Sequence, residues 1–211
     1  MSIDWQNLGL FAAASLALVL TPGPNTLYVM TRGIAQGRKA ALISALGASS
    51  GDLVYALFAA LGLAVILQQS AAVYGIIKVC GAIYMLLIGI QSLSGKTSLP
   101  AAAEPVMAEP PRRLFLKGFF VSALNPKTAI FFISFFPQFI DSGSESAAAS
   151  MLLYGMIFFL LGLAALILYA QASGFIGRRL AARQRWQQCF QRAAGALFIG
   201  LGIRLLAPEQ R

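Results

Sequence analysis

The residues that could do chemistry in this chain lie inside long apolar segments. Asp52 is the one carboxylate within such a segment, and Lys127 follows directly on Asn125 and Pro126. A charged side chain in the middle of a bilayer costs about 3 kcal/mol even on lenient scales, so it is expected to face a cavity or a partner. Asp52 is therefore a candidate proton carrier, or the acceptor of a cationic ligand. The alternatives are a structural ion pair with Lys127 or Lys78, or a position at the membrane interface near the helix end.

The first apolar segment, Leu8–Thr31, is interrupted by Pro22-Gly23-Pro24-Asn25. Proline lacks an amide donor and glycine loosens the backbone, so a helix broken here leaves carbonyl groups unpaired. Lipid cannot satisfy those groups. The break is expected to face packed protein or a polar cavity, and paired breaks of this kind indicate a ligand site near the membrane midplane.

A second interruption, Leu124-Asn125-Pro126-Lys127, lies in a later apolar segment. Asn125 is a good N-cap and Pro126 fits the first helical position, so a half-helix is expected to begin there. Its free amides and positive dipole end would attract a carboxylate, and Lys127 would add a full charge in the same turn.

The first interruption is expected to supply the complementary groups. Gly23 or Asn25 would cap a half-helix that contains Thr26, while unwound carbonyls near Thr21 and Pro22 would face an ammonium group. Together the two breaks predict a site for a zwitterion. The alternative is that both are kinks that only shape helix packing.

Composition excludes several classes of function. The 211 residues are 58% hydrophobic and 11% charged, with a mean hydropathy of +0.75. Soluble domains carry about 25% charged residues, so the chain is predicted to be a helical membrane protein. It has no histidine, and Cys80 and Cys189 form no Cys-x-x-Cys pair. No catalytic residue, cofactor or metal site is therefore predicted.

Long apolar windows predict six membrane-spanning helices. They are Leu8–Thr31, Ala40–Leu67, Ala71–Leu93, Leu114–Phe139, Ala147–Ser173 and Phe190–Ala207. Most of the 16 basic residues cluster after the first, third and fifth of these helices, and the other two connections have none. By the positive-inside rule both termini are expected to face outward. The net charge of +9 thus predicts topology rather than nucleic-acid binding.

The connection Ser94–Pro111 contains four prolines and is expected to be an extended linker. It divides a single transmembrane domain into repeat one (1–93), the linker (94–111) and repeat two (112–211). Because each half has three helices, the second crosses in the opposite direction. The predicted fold is an all-α integral membrane protein of six transmembrane helices, arranged as two inverted three-helix repeats with broken first and fourth helices.

Two glycines directly before the membrane aspartate are expected to serve helix packing. Gly47 and Gly51 are one helical turn apart, which makes a smooth surface for close approach. We expect a neighbouring broken helix to approach Asp52 over this surface, with the first helix near Asn25 reaching the aspartate.

The interruptions and their surroundings together resemble the LysE/RhtB family of amino-acid exporters over nearly the whole chain. The residues that carry the resemblance are Thr21-Pro22-Gly23-Pro24-Asn25, Gly33, Gly37, Gly47, Gly51-Asp52, Leu124-Asn125-Pro126-Lys127 and Phe136-Pro137-Gln138-Phe139. The two proline-asparagine motifs are the specific part of the resemblance.

The resemblance implies a multi-pass exporter of amino acids in the bacterial inner membrane, driven by the proton gradient. Members of the family differ in cargo, which is basic, hydroxylated or neutral. Substrate binding is assigned to Pro22, Gly23, Pro24, Asn25, Asn125, Pro126 and Lys127, and proton coupling to Asp52. The expected partners are the amino acid, protons and the lipid bilayer, with a second copy of the chain as a candidate. A metal-ion exporter and a structural membrane protein remain as alternatives.

Overall fold

The computed structural model describes residues 5–63, 71–94, 108–139, 147–176 and 184–206. These residues form helices joined by short connections, and no strand occurs among them. The helices are α1 (Trp5–Leu20), α2 (Pro24–Gln36), α3 (Arg38–Phe58), α4 (Ala71–Leu93), α5 (Pro111–Ala123), α6 (Pro126–Ile130), α7 (Ala147–Ile176) and α8 (Gln184–Leu206).

Two of these helices continue in altered helical geometry. A π-helical turn, Ala59–Leu63, extends α3, and another, Phe131–Phe135, extends α6. The latter runs into a 3₁₀ turn, Phe136–Phe139. Pro137 within that turn removes one amide donor, which is incompatible with a continuing α-helix.

Both predicted helix breaks are confirmed. The axes of α1 and α2 differ by 48° across the first break, and those of α5 and the segment from Pro126 to Phe139 differ by 44° across the second. Pro24, Pro111 and Pro126 each stand in the first turn of a helix, where a missing amide costs nothing.

Helices occur at all six predicted positions, counting each broken pair as one. In the described part of the chain, two helices are long and apolar enough to cross a membrane, Arg38–Leu61 and Ala149–Ser173, and the two bent pairs raise the number to four. The third predicted span contributes a shorter apolar helix, Lys78–Leu93. Large exposed apolar side chains, such as Phe58, Leu61 and Leu124, suit a surface in contact with lipid.

The glycines before Asp52 pack against a broken helix, as expected, but it belongs to the second break. A Cβ added at Gly47 would overlap the backbone of Phe115, and one at Gly51 would overlap the Phe119 carbonyl. From the other side, a Cβ at Gly118 would lie 2.6 Å from the Ser44 carbonyl oxygen. The backbones of α3 and α5 are thus in direct contact, as small residues permit between membrane helices.

An aromatic cluster fills the space between α1, α7 and the segment that follows α6. The Phe11 ring lies 5.5 Å from the Phe136 ring and 4.8 Å from the Tyr154 ring, both edge to face. Phe131 and Phe158 are also buried there, with ring centres 5.4 Å apart. Phe131 thus belongs to the core and not to the lipid-facing surface.

The described helix ends that border the basic connections lie at one end of the molecule. Arg32 near the end of α2 contacts Glu109 just before α5, and a Cβ added at Gly33 would overlap the Ser173 side chain near the end of α7. We call this end, marked by Arg32 and Glu109, the basic end. Most of the predicted linker lies outside the described residues, but Pro111 already begins α5.

Candidate functional site

A small polar cavity lies where the two broken helices pass each other. Its polar lining comes from both breaks and from α3, and α1 and α7 complete it with apolar side chains. The lining residues are Leu18, Val19, Thr21, Gly23, Asn25, Thr26, Asp52, Asn125, Lys127, Thr128, Phe158, Gly162 and Leu166. The cavity has a volume of about 30 Å³, room for no more than a few water molecules. It is therefore too small, in this conformation, for an amino acid.

Three of the carbonyl groups at the first break accept hydrogen bonds from side chains of other segments. The Lys127 ammonium donates to the Leu18 carbonyl at 2.7 Å and to the Thr21 carbonyl at 2.8 Å. The Tyr169 hydroxyl donates to the Leu20 carbonyl at 2.6 Å. The Thr21 carbonyl, which the sequence assigned to a ligand's ammonium group, is thus occupied by a lysine from the second break.

The second break is capped by its own asparagine and by a tyrosine from α3. Asn125 is the N-cap of α6, and its side-chain oxygen accepts from the Lys127 amide at 3.0 Å. The Tyr55 hydroxyl donates to the Ala123 carbonyl at 2.7 Å. The predicted capping role of Asn125 is confirmed, and it removes one of the amides that would otherwise be open to an anion.

Asp52 is buried, with 3% of its surface exposed, and it joins the two breaks through hydrogen bonds. The Ser122 hydroxyl donates to Asp52 Oδ1 at 2.5 Å and accepts from Asn25 Nδ2 at 2.9 Å. Asn125 Nδ2 in turn donates to Asn25 Oδ1 at 3.3 Å. The first helix therefore reaches the aspartate through Ser122 of the second break, rather than directly.

The cavity holds one acidic and one basic side chain that are not paired with each other. No ion pair joins Asp52 to Lys127 among the described residues, which argues against their structural pairing as the reason for either charge. Lys127 donates two of its three ammonium protons to carbonyl acceptors, so one donor remains for a ligand. The second oxygen of Asp52 faces Gly162, where an added Cβ would lie 3.5 Å away.

The N-terminus of α2 differs from that of α6 in having no side-chain cap. Its N-cap is Gly23, which offers no oxygen to the first-turn amides. A Cβ added at Gly23 would lie 3.6 Å from Lys127 Nζ, so the ammonium group stands beside this helix end. A positive dipole end and a lysine together make a suitable anion site.

From the cavity to the basic end, α2 and α5 run antiparallel and are joined by a row of polar contacts. We call this row the α2–α5 seam. Its inner contact is Asn25–Ser122, and the Tyr28 hydroxyl donates to the Leu114 carbonyl at 2.9 Å further along. At the basic end, Arg32 Nη2 lies 2.9 Å from Glu109 Oε1.

The structure brings together five of the site residues predicted from sequence. Gly23, Asn25, Asp52, Asn125 and Lys127 line the cavity. The remaining predicted residues are outside the lining: Pro22, Pro24 and Pro126 form the breaks, and Gly47 and Gly51 pack helices.

Sequence reasoning missed the hydrogen-bond partners that complete the site. Ser122, Tyr55 and Tyr169 satisfy the aspartate and the freed carbonyls, but nothing in their spacing marks them. Thr128 lines the cavity one position after Lys127. Within the described ranges, no three acidic, cysteine or histidine side chains come together as a metal site would require.

Comparison with known proteins shows what the chain is similar to. Residues 16–208 match the family described as LysE type translocator. The chain is 29% identical to a leucine efflux protein of Enterobacter sp. (strain 638), with 94% of both chains covered. It is 36% identical to an uncharacterized membrane protein of Pseudomonas aeruginosa (89% of both) and 26% identical to a leucine efflux protein of Klebsiella pneumoniae (92% of both). No solved structure matches it.

Proposed function

Since the chain belongs to the family of LysE type translocators and is a multi-pass membrane protein, we propose that it exports an amino acid across the bacterial inner membrane. The observation that carries the proposal is the cavity between the two helix breaks, which offers one anionic and one cationic side chain that do not pair. A free amino acid carries the two complementary charges. The similarity to leucine efflux proteins over nearly the full length supports the same class of cargo.

We assign the cargo's carboxylate to Lys127 and the uncapped N-terminus of α2. The lysine has one donor to spare, and the first-turn amides of α2 lack a side-chain acceptor. Asn125 orients this arrangement by capping α6 and contacting Asn25. The carboxylate site thus moves from the second break, where the sequence placed it, to the gap between both breaks.

The cargo's ammonium group is assigned to Asp52, and its side chain to the apolar part of the lining. Leu18, Phe158 and Leu166 contribute that part, which suits a neutral aliphatic side chain better than a charged one. A second buried carboxylate would be expected for a basic cargo. We therefore propose a neutral amino acid such as leucine.

Proton coupling is proposed to arise because cargo and proton compete for Asp52. With the ammonium group bound, the aspartate must be ionised, and the protein carries cargo outward. With cargo gone, a proton from outside neutralises the buried carboxylate, and the empty site returns. One carboxylate in one cavity would thus exchange an amino acid for a proton.

The cavity must open alternately to the two sides for this exchange to occur. Its volume of about 30 Å³ means that the surrounding helices must move apart before an amino acid can bind. We propose that six spans, arranged as two inverted repeats, supply the two opposite openings. In this arrangement the broken first and fourth helices are equivalent elements of the two halves, and a homodimer is not needed to complete the cavity.

Counterflow of radiolabelled amino acids in proteoliposomes tests the proposal. Leucine loaded inside should drive uptake of labelled leucine, while leucine amide should not, because Lys127 and the α2 amides require a carboxylate. Lys127→Gln should reduce the preference for acid over amide, and Lys39→Gln, an exposed lysine on α3, should leave it unchanged. Equal transport of acid and amide would contradict the carboxylate assignment, and no counterflow with any amino acid would contradict export.

A further inference from the structure

We propose that Arg32, Glu109 and Lys117 form the gate that separates the cavity from the basic end, and that cargo enters only when this gate opens. We call the three residues the basic-end latch. The inference rests on the proposed function, since a gate serves a transporter, but its geometry stands independently of the cargo.

The latch is built on a single carboxylate oxygen. Arg32 Nη2 lies 2.9 Å from Glu109 Oε1, and Lys117 Nζ lies 2.7 Å from the same atom. The Glu109 amide also donates to the side-chain oxygen of Gln36 at 2.9 Å. These contacts tie the end of α2 to the segment that leads into α5.

The latch lies at the far end of the α2–α5 seam, whose inner contact, Asn25–Ser122, borders the cavity. Both helices run from the level of the breaks to the basic end, so separating them would connect the cavity with that end. Asn25, Tyr28, Arg32 and Gln36 are spaced three or four residues apart and therefore share one face of α2. The latch lies at the end of this face that is farthest from the cavity, at the basic end.

The helix that the latch holds has a flexible joint at each end. At its start the chain is broken at Thr21–Gly23, where α1 and α2 diverge by 48°. At its end Gly37 has φ +84°, the one positive φ among the described residues, and a Cβ added there would meet nothing within 4 Å. Thus α2 is a continuous helix with a break in the helical backbone at each end, the arrangement in which a helix can move as one unit.

The latch leaves part of its hydrogen-bonding capacity unused, which favours easy opening. Arg32 Nη1 and Glu109 Oε2 are buried and without a partner in the described structure. A buried ion network that is only partly satisfied contributes little net stability, because desolvation offsets the attraction. Opening would hydrate both atoms. On the far side of the cavity, by contrast, the Phe11 cluster closes the path by apolar contact.

Cysteine accessibility tests the gate without knowledge of the cargo. In a Cys80→Ser, Cys189→Ser background, Thr26→Cys places a thiol in the cavity lining, and a membrane-impermeant maleimide is added to vesicles of each orientation. From the side that carries the basic loops, Glu109→Gln should raise the labelling rate about fivefold, the effect of losing one partly buried ion pair. Arg113→Gln, an exposed cation on the first turn of α5, should change it less than twofold.

Two further variants make the result decisive. The charge exchange Arg32→Glu with Glu109→Arg should restore slow labelling if the ion pair itself closes the gate. Cysteines at positions 32 and 109, each joined by a disulfide to a short bifunctional thiosulfonate linker that replaces the length of the two side chains, should block leucine counterflow, and a reductant should restore it. Unchanged labelling in Glu109→Gln, or normal counterflow with the cross-link formed, would overturn the proposal.

The same measurements separate the gate from the proposed function. If Glu109→Gln changes the labelling rate but the variant with cysteines at positions 32 and 109 transports no amino acid in its reduced form, the gate proposal is supported and the export proposal fails. If that variant transports leucine equally well in its reduced and its cross-linked form, the export proposal is supported and the gate proposal fails. Should Glu109→Gln fold poorly, Lys117→Gln provides a milder variant, with labelling between that of the native chain and the Arg32→Glu single variant.

Discussion

At the scale of single residues, Asp52 is distinguished by its hydrogen-bond partner, which is a neutral hydroxyl group and not a charged side chain. The buried carboxylate accepts a hydrogen bond from Ser122 rather than an ion pair from Lys127. A structural ion pair would strand its partner when either charge is removed. A hydroxyl donor leaves no unpaired charge when the carboxyl group is neutralised, because it can donate to both an ionised and a neutral acceptor. The surroundings of Asp52 therefore suit a group that gains and loses a proton.

Asp52→Asn is expected to separate coupling from folding. The amide oxygen of asparagine can still accept from Ser122, so the free energy of unfolding should change by less than about 1 kcal/mol. Uphill leucine accumulation driven by an imposed pH gradient should disappear, while leucine–leucine counterflow should be retained in part. Accumulation with a normal pH dependence in this variant would place the coupling residue elsewhere, and a large loss of stability rescued by Lys127→Gln would restore the ion-pair explanation.

Residue types identified the breaks but not the partners that satisfy them. Pro22, Gly23 and Asn125 break or cap helices through their own backbone chemistry, so the sequence alone predicts where the helices end. Ser122 and Tyr169 act across 70 and 149 positions of the chain. Such contacts depend on which helices pack together, and the local sequence carries no record of that.

At the scale of elements, the close approach of α3 and α5 depends on glycine. The prediction that Gly47 and Gly51 form a contact surface is supported by the geometry, and the first helix comes near Asp52 through the hydrogen bond between Asn25 and Ser122. The small residues of α3 specify that some helix comes close, but the match to Gly118 on α5 specifies which one. The match depends on two segments that are far apart in the sequence, so neither segment alone predicts it.

Gly47→Ala is expected to destabilise the protein by about 1–3 kcal/mol, because its Cβ would meet the Phe115 backbone and force the helices apart. The matched control is Gly200→Ala on α8, where nothing lies within 4 Å. That change should be neutral or stabilising by up to about 1 kcal/mol, as is usual for glycine in a helix. Thermal unfolding in detergent compares the two. Equal melting temperatures would show that α3 and α5 are not tightly packed.

The latch is expected to stay closed throughout the neutral pH range. The hydrogen bond from Lys117, followed by the charge of Arg32, holds the pKa of Glu109 below its usual 4.5. A carboxyl group with a lowered pKa contributes fully above its unfolded value and loses the contribution as the pH falls through the folded value. Tyr28 contributes only its ring face to Arg32.

The labelling rate of the Thr26→Cys thiol follows its thiolate fraction, so the quantity to compare is the ratio of this rate in the Glu109→Gln variant to that in the chain with Glu109 intact. This ratio should be constant between about pH 5.5 and 7.5 and should fall towards one only below about pH 4.5. A steep change in the native protein near neutrality, absent from Glu109→Gln, would show that Glu109 titrates there and would contradict the lowered pKa.

At the scale of the whole molecule, the charge pattern of the sequence matches the arrangement of the helix ends. The contacts Arg32–Glu109 and Gly33–Ser173 bring the starts or ends of three basic connections to one end of the protein. At the third and sixth positions the helices Ala71–Leu93 and Gln184–Leu206 each run over 23 residues and carry Lys78 and Arg192 respectively. Length and composition cannot decide whether such helices cross the bilayer, because neighbouring helices can shield their polar residues.

Both termini are expected to face outward, with the basic end in the cytoplasm, because loops rich in lysine and arginine are retained there. Single cysteines at Ser2, Ser98 and Arg211, positions outside the described residues, report the topology in the cysteine-free background. In intact cells an impermeant maleimide should label the two ends and leave position 98 unlabelled until the membrane is opened. If the N-terminus and position 98 both lie inside, the first half crosses the membrane an even number of times, which removes the argument that the paired breaks belong to inverted repeats. If all three positions instead show the reversed pattern, the halves stay inverted, the latch closes the outer side of the membrane, and cargo leaves through it rather than enters.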